Sequence, residues 1–349
     1  TMTKMYLLKQ ARQAGFTLIE LLISMVLGLI LIGGIYSVFT ENARTSQFVQ
    51  ATSRVQENGR FALSYMMQEL RMVGYMGCMS NIDLDDPAFF VSTLNTGTTN
   101  SDAEYYFDLT KGQLEVIDYI GSTVTLPPLN VDDPIPKEGT DVILVRGLSS
   151  ADYTLDGVPK WTANGNANFD IRSTDVDLKD NDIGMLSDCQ RAAVFQITSV
   201  LPVGGGGPSG RTKIIHNKSN GGLGDGPGNS GMKLSDGPFN ENASMQKFTS
   251  TLYYIAPAQD DASILSLWQK NATADAFELV TGIEDLEIHL GVDTDNDGVP
   301  NSIVRPPLAD TSDVVTIDIR IRANSIDPVG TQMIVRDFTS TVQLRNRGL

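Results

Sequence analysis

Cysteine and histidine are nearly absent from this chain, with two of each in 349 residues. Cys78 and Cys189 are too few for a four-ligand zinc site, and neither belongs to a C-x-x-C pair. His216 and His289 leave little imidazole for acid–base chemistry, and no G-x-S-x-G elbow presents a nucleophile. Asp and Glu are plentiful, but no two stand out as a catalytic pair, so the expectation is that the chain is not an enzyme. Positive charge is also scarce: Lys and Arg number 26 against 42 Asp and Glu, for a net charge of −16. A nucleic-acid backbone is held by Lys and Arg, so direct nucleic-acid binding is not expected. With 41% hydrophobic residues, the chain has enough apolar material for a sizeable core and is not compositionally disordered.

Long apolar runs are missing too, with one exception. Leu18 to Phe39 is almost wholly apolar and follows a basic leader containing Lys4, Lys9 and Arg12. As a helix it would reach about 30 Å, the thickness of a bilayer core. A secretory signal has a shorter apolar stretch closed by a small-residue cleavage site. This run is longer and no such site closes it, so it is expected to stay as an anchor. The basic leader places the N-terminus in the cytoplasm and everything after Phe39 outside. Glu20 is the only charged side chain between Arg12 and Glu41. A charge at the centre of a membrane helix costs roughly 2.5–3.5 kcal/mol on insertion scales, so Glu20 calls for a reason.

Proline is absent from Thr40 to Tyr75, where Phe48, Val55, Ala62, Met66, Leu70 and Val73 form one apolar stripe at helical spacing. The expected element is a single helix from about Phe16 to Tyr75. Its membrane half would be 16–39 and its amphipathic half 40–76, with Gly28, Gly33, Gly34 and Gly59 as weak points. From 77 to 349 the chain reads as a β-rich head. Expected strands are 114–120, 142–147, 193–200, 212–215, 250–256, 263–269, 286–292, 314–323 and 338–346. "TIDIRIR" alternates strictly, so one of its faces should be buried. The stretches 151–188 and 201–240 are rich in Asp and Asn or in Gly, and are expected to be loops. The fold class expected is α+β, a long helix packed on a large antiparallel head.

Cys78 and Cys189 are either two buried thiols or a disulfide. An oxidising compartment with no other cysteine favours the bridge, which would close a loop of about 110 residues, worth roughly 4–5 kcal/mol on the chain-entropy model. "DTDNDGVPNS" sets Asp293, Asp295 and Asp297 two apart before Gly298, as an EF-hand loop begins, with the Val299 carbonyl and Asn301 as further ligands. The twelfth position is Val304 rather than Glu, and Asp297–Gly298 is also a strong turn dipeptide. Both a structural calcium site and a plain acidic turn remain open; no other cofactor is expected. "GGGPSGRT" (205–212) nearly matches a phosphate loop. Arg211 replaces the Lys, and a strand follows where a helix is needed.

The leader, Gly15, Phe16, Thr17, the apolar run and Glu20 together resemble the class III signal of type IV pilins and type II secretion pseudopilins. The resemblance implies that a membrane prepilin peptidase cuts after Gly15 and methylates the new N-terminal Phe16. It also implies that Glu20 neutralises the amine of a neighbouring subunit in a filament core. The segments "ENGRFALSYMMQELRMVGYMGC", "LSDCQRAAVFQIT", "ELVTGIEDLEIHLGVDTDNDG" and "FTSTVQLRNR" resemble the PilW family of type IV pilus minor pilins. That likeness implies a role in priming assembly and in a tip complex, with indirect support of twitching motility, adhesion or DNA uptake. The implied partners are the prepilin peptidase, the major and other minor pilins, the inner-membrane assembly platform and a tip adhesin. The implied location is the inner membrane, then the pilus. Two alternatives stay open: a large minor pseudopilin of the J type, and a membrane-anchored ligand-binding adhesin domain.

Overall fold

The structure is a computed structural model. It describes residues 16–78, 86, 88–95, 101–108, 111–121, 124–161, 165–203, 210–219, 226–231, 239–240, 242–272, 274–308 and 311–344. In chain order the elements begin with helix α1 (Leu18–Leu70), strand β1 (Phe90–Ser92) and helix α2 (Ser101–Phe107). Strands β2 (Leu114–Tyr119), β3 (Thr140–Thr154), β4 (Lys160–Trp161), β5 (Ala167–Ile171), β6 (Ile183–Ser187), β7 (Ala192–Gln196), β8 (Ser199–Val203) and β9 (Arg211–His216) follow. The last are β10 (Ser244–Pro257), β11 (Leu265–Asn271), β12 (Phe277–Thr281), β13 (Ile283–Val292), β14 (Ser302–Val304), β15 (Val314–Asn324) and β16 (Val335–Gln343).

Helix α1 runs 53 residues, about 80 Å at ~1.5 Å per residue, with no proline to break it. It ends five residues earlier than the stripe predicts. Residues 71–74 form turns, and Gly74 (φ 83°) takes the left-handed conformation that stops a helix. Val55, Ala62, Met66, Leu70 and, just past the helix, Val73 are fully buried. Phe48, assigned to the same stripe, is 51% exposed. The helix meets the head only from Ala51 onward, so Phe48 has nothing to pack on. Gly59 is a contact rather than a weak point. A Cβ there would collide with the Phe338 ring of β16, so only glycine lets that strand come so close.

The largest sheet has the order β1-β7-β6-β10-β11-β12, with β3 and then β2 added along β10. All its pairings are antiparallel except β1 with β7. A second sheet is β14-β13-β15-β16 and a third β4-β5-β9-β8. One core joins the buried face of α1 to Ile143, Tyr253 and Leu267 of the large sheet and to Ile288, Ile317 and Ile321 of the second. Ile317, Ile319 and Ile321 are buried while Arg320 is exposed, as the alternation of "TIDIRIR" requires. Two expectations fail. The stretch 151–188 holds the outer part of β3 and all of β4, β5 and β6; β5 alternates polar with buried residues and β6 is only five residues long between Asp- and Asn-rich turns, so composition hides them. The apolar run 193–200 is split between β7 and β8, which lie in different sheets. The stretch 201–240 also contains all of β9, longer than the expected 212–215.

Polar groups make several of the joints. Helix α2 packs on the other face of the large sheet, and the fully buried Arg146 closes its C-terminal end. Arg146 Nε donates to the Tyr106 carbonyl (3.1 Å), Nη1 to Gly112 (3.1 Å), and Nη2 to Tyr105 (3.1 Å) and to the Glu115 carboxylate (2.9 Å). A cation at a helix C-terminus satisfies carbonyls that the helix leaves open. Lys270 and Asp133 form a buried pair at 2.8 Å, and Asp133 also accepts the N–H groups of Asn130 and Ala276. Asn229 pins the described part of the glycine-rich stretch. Its Nδ2 donates to the Gln196 carbonyl (2.7 Å) and its Oδ1 accepts the Gln196 N–H (2.8 Å). Beside it His216 is buried against Thr93 Oγ1 (3.2 Å), and burial pushes the imidazole down to about 4.

Asp141 of β3 bridges the two larger sheets by accepting the Ile288 N–H of β13 at 2.6 Å. Burial pushes its carboxyl up from 3.8 to about 7, outweighing that hydrogen bond. The folded protein therefore holds a proton that the unfolded chain releases. This contribution to stability is complete below pH 3.8 and is lost as pH rises towards 7. Asp141→Asn keeps an oxygen for Ile288 and removes the titration. Urea unfolding from about pH 4 to 8 should show the variant gaining on the wild type up to about 7, with a constant difference above.

Candidate functional site

The N-terminal region is built around the first turn of α1. Thr17 is the N-cap: its Oγ1 accepts the Glu20 N–H (3.3 Å) and donates to the Glu20 carboxylate (3.4 Å). T-L-I-E is thus a capping-box pattern, a local role for Glu20 that the apolar run around it had masked in the sequence. The carboxylate also sits at the positive end of the helix dipole. No Lys, Arg or His occurs between residues 13 and 40, so no base in this segment can pair with it. Phe16 is 85% exposed, and Gly15 lies outside the described residues. Every large apolar side chain from Leu18 to Phe39 is at least half exposed, and the segment is long and apolar enough to cross a membrane.

At the other end of α1 the chain is fastened covalently. Cys78 and Cys189 form a disulfide across 111 residues, with Cα atoms 5.0 Å apart. Cys189 (φ 65°) lies in the turn between β6 and β7, where Asp188 Oδ1 accepts the N–H groups of Gln190 (3.1 Å) and Arg191 (2.9 Å). The bridge ties the segment leaving α1 to a hairpin of the large sheet.

The acidic turn joins β13 to β14, with Val292 opposite Ser302. Carboxylate oxygens of Asp293, Asp295 and Asp297 lie within 4.8 Å of one another. Asp293 is 1% exposed; its oxygens accept the N–H groups of Gly298 (2.7 Å) and Asp295 (3.2 Å). Burial works to raise this carboxyl, but those N–H groups outweigh it and hold it below its ordinary range. Asn301 does not face the three carboxylates as a free ligand: its Oδ1 accepts the Thr294 N–H (2.6 Å) and its Nδ2 donates to Asp295 (3.2 Å). The turn closes on itself, and Val304 lies in β14 where an EF-hand has its bidentate Glu.

Residues 10–36 match the family described as Prokaryotic N-terminal methylation motif. The chain carries a prepilin-type N-terminus. The match spans Gly15, Phe16, Glu20 and the exposed apolar part of α1, and it fits type IV pilin-like proteins and pseudopilins alike. Pilin-type processing and assembly partners follow in general terms. No curated protein and no solved structure matches the chain.

Replacing Cys78 and Cys189 by Ser is expected to cost about 3–5 kcal/mol of unfolding free energy, since the loop closed is long. Chemical denaturation of wild type and double variant measures this, and reductant should bring the wild type down to the variant.

Proposed function

We propose that this chain is a minor pilin of a type IV pilus, of the PilW type, with a structural rather than catalytic role. The observation that carries the reading is the division of α1. Its first half exposes Leu, Ile, Val and Phe on all sides, while from Ala51 onward one face of the helix is buried against the head. Full burial of each such side chain is worth about 1.5–3 kcal/mol, so the first half needs an apolar surrounding of its own. A bilayer supplies one before assembly, and a bundle of neighbouring helices supplies one afterwards.

In this reading the prepilin peptidase cuts between Gly15 and Phe16 and methylates the Phe16 amine. Glu20 then pairs with the amine of an adjoining subunit. A lone charge in an apolar medium costs several kcal/mol, and a partner of opposite sign offsets much of it. The head faces the periplasm before assembly. Its bulk would obstruct the next subunits in a tightly packed shaft and is tolerated at the tip. Assembly platform, major pilin and other minor pilins are the partners. A large minor pseudopilin of the J type shares the motif and the helix. The "VQLRNR" segment favours the pilus.

Intact mass spectrometry of the protein expressed with its own prepilin peptidase tests the reading. Loss of residues 1–15 with one methyl group on Phe16 is expected. Glu20→Ala should still be cut, yet fall at least tenfold in the sheared filament fraction. An uncut chain, in cells whose major pilin is cut normally, would contradict the assignment.

A further inference from the structure

The second sheet ends on an open edge. β16 pairs with β15 along its whole length of nine residues without a register shift, and no strand among the described residues pairs with its other side. The Leu344 N–H bonds the Val315 carbonyl (2.8 Å), and in an antiparallel pair the direction of the backbone groups alternates from residue to residue. Arg336, Phe338, Ser340 and Val342 therefore turn their N–H and C=O groups towards β15. Val335, Asp337, Thr339, Thr341 and Gln343 turn theirs outward, and all five residues are exposed. None of the five makes a backbone bond on that side among the described residues.

Folded proteins blunt such edges with short strands, proline, lysine or a bulge. The other edges here follow that rule. β1, β4 and β14 have three residues or fewer, β12 has five, and β8 contains Pro202. β2 has six residues, none of them exposed. β16 is longer than any of these and has no proline, lysine or bulge. Its outward residues include one acid, Asp337, which is neutralised by Arg320 (2.6 Å) and Arg322 (2.9 Å). An edge in this state is a template for an extended peptide, whose main chain would bond to the outward N–H and C=O groups.

Charge and symmetry narrow the occupant. β15 and β16 together carry Arg320, Arg322 and Arg336 against Asp318 and Asp337, a slight positive excess on a chain of net charge −16. An acidic segment meets attraction here and repulsion over most of the remaining surface. Geometry rules out a second copy in antiparallel register. The two-fold axis relating two such edges stands normal to the sheet, and α1 lies along a face of that sheet, with Phe338 against Gly59. That rotation would point the second helix the opposite way, whereas two copies anchored in one bilayer share a direction. We propose that β16 takes up an extended acidic segment of a different extracytoplasmic protein as an added strand. The proposal goes beyond the filament role, and it needs the membrane anchor but neither cleavage at Gly15 nor a pilus.

The probe is a fluorescein-labelled peptide of alternating Thr and Val with Glu at both ends, followed by anisotropy with the full chain in detergent micelles. The wild type should bind it. Binding should vanish when every second peptide amide is methylated, and should weaken when Lys replaces the terminal Glu residues. Thr339→Pro removes one outward N–H and should weaken binding by about tenfold. Because that N–H lies outside the β15 ladder, Thr339→Pro should melt near the wild-type temperature, while Ser340→Pro, which removes a ladder bond, should melt lower. In the wild type, hydrogen exchange across 335–343 should slow when the peptide is added. No binding, equal binding of the methylated or Lys-ended peptide, or unchanged exchange at 335–343 would overturn the proposal. So would a Thr339→Pro protein that melts as low as Ser340→Pro. Self-association of the wild type that Thr339→Pro abolishes would overturn it as well, by giving the edge to a second copy.

Discussion

One face of α1 from Ala51 onward is covered by the head, while nothing among the described residues covers the first half, and most of the architecture follows from that division. Val55, Ala62, Met66 and Leu70 close a core that also contains the inner faces of the two larger sheets. A helix of this length with one exposed apolar half would be insoluble alone, and a sheet pair with one open face would be too. Each supplies the surface the other lacks. Gly59 sets the closest approach, bringing Phe338 against the helix backbone. Tyr65 meets the edge of Tyr253 with ring centroids 6.4 Å apart, and Asn58 donates to the Thr281 carbonyl at 2.8 Å.

Away from the helix the head relies on buried polar groups for specificity. Arg146 directs its donors to the end of α2, and Asp141 reaches from one sheet to the backbone of the next. Lys270 and Asp133 hold the 124–136 segment to the large sheet. Such pairs are weak sources of net stability and costly to break singly, so they fix which loop goes where more than how firmly the whole folds. The disulfide acts on the unfolded state instead, tying the exit of the helix to the β6–β7 turn. A subunit pulled through its helix would pass load into the sheet at that point.

Much of this was legible because periodicity and turn chemistry are local. The helical stripe, the alternation of β15, the hairpin of β10 and β11 and the turn at Asp297–Gly298 all announce themselves within a few residues. What stayed hidden depends on distant partners. Phe48 matches the stripe, but whether it is buried depends on where the head begins. Gly59 looks like a defect until Phe338 is placed beside it. The strands within 151–188 are short and set among Asp- and Asn-rich turns, and they become strands only by pairing with β7, β9 and β10. That β6 and β11 share one edge of β10 also depends on distant pairing, and no spacing in the sequence reports it. The N-terminal motif was fully legible. The capping role of Thr17 and Glu20 was there as well, masked by the stronger pattern of the apolar run.

Hydrogen exchange read by mass spectrometry on the full chain in detergent micelles tests the joint between helix and head most directly. If the second half of α1 belongs to the head's core, amides from Val55 to Leu70 should exchange as slowly as those of β10 and β15, opening only with global unfolding. If those amides exchange orders of magnitude faster while the strands stay protected, the helix only rests on the head, and its second half is no part of the core.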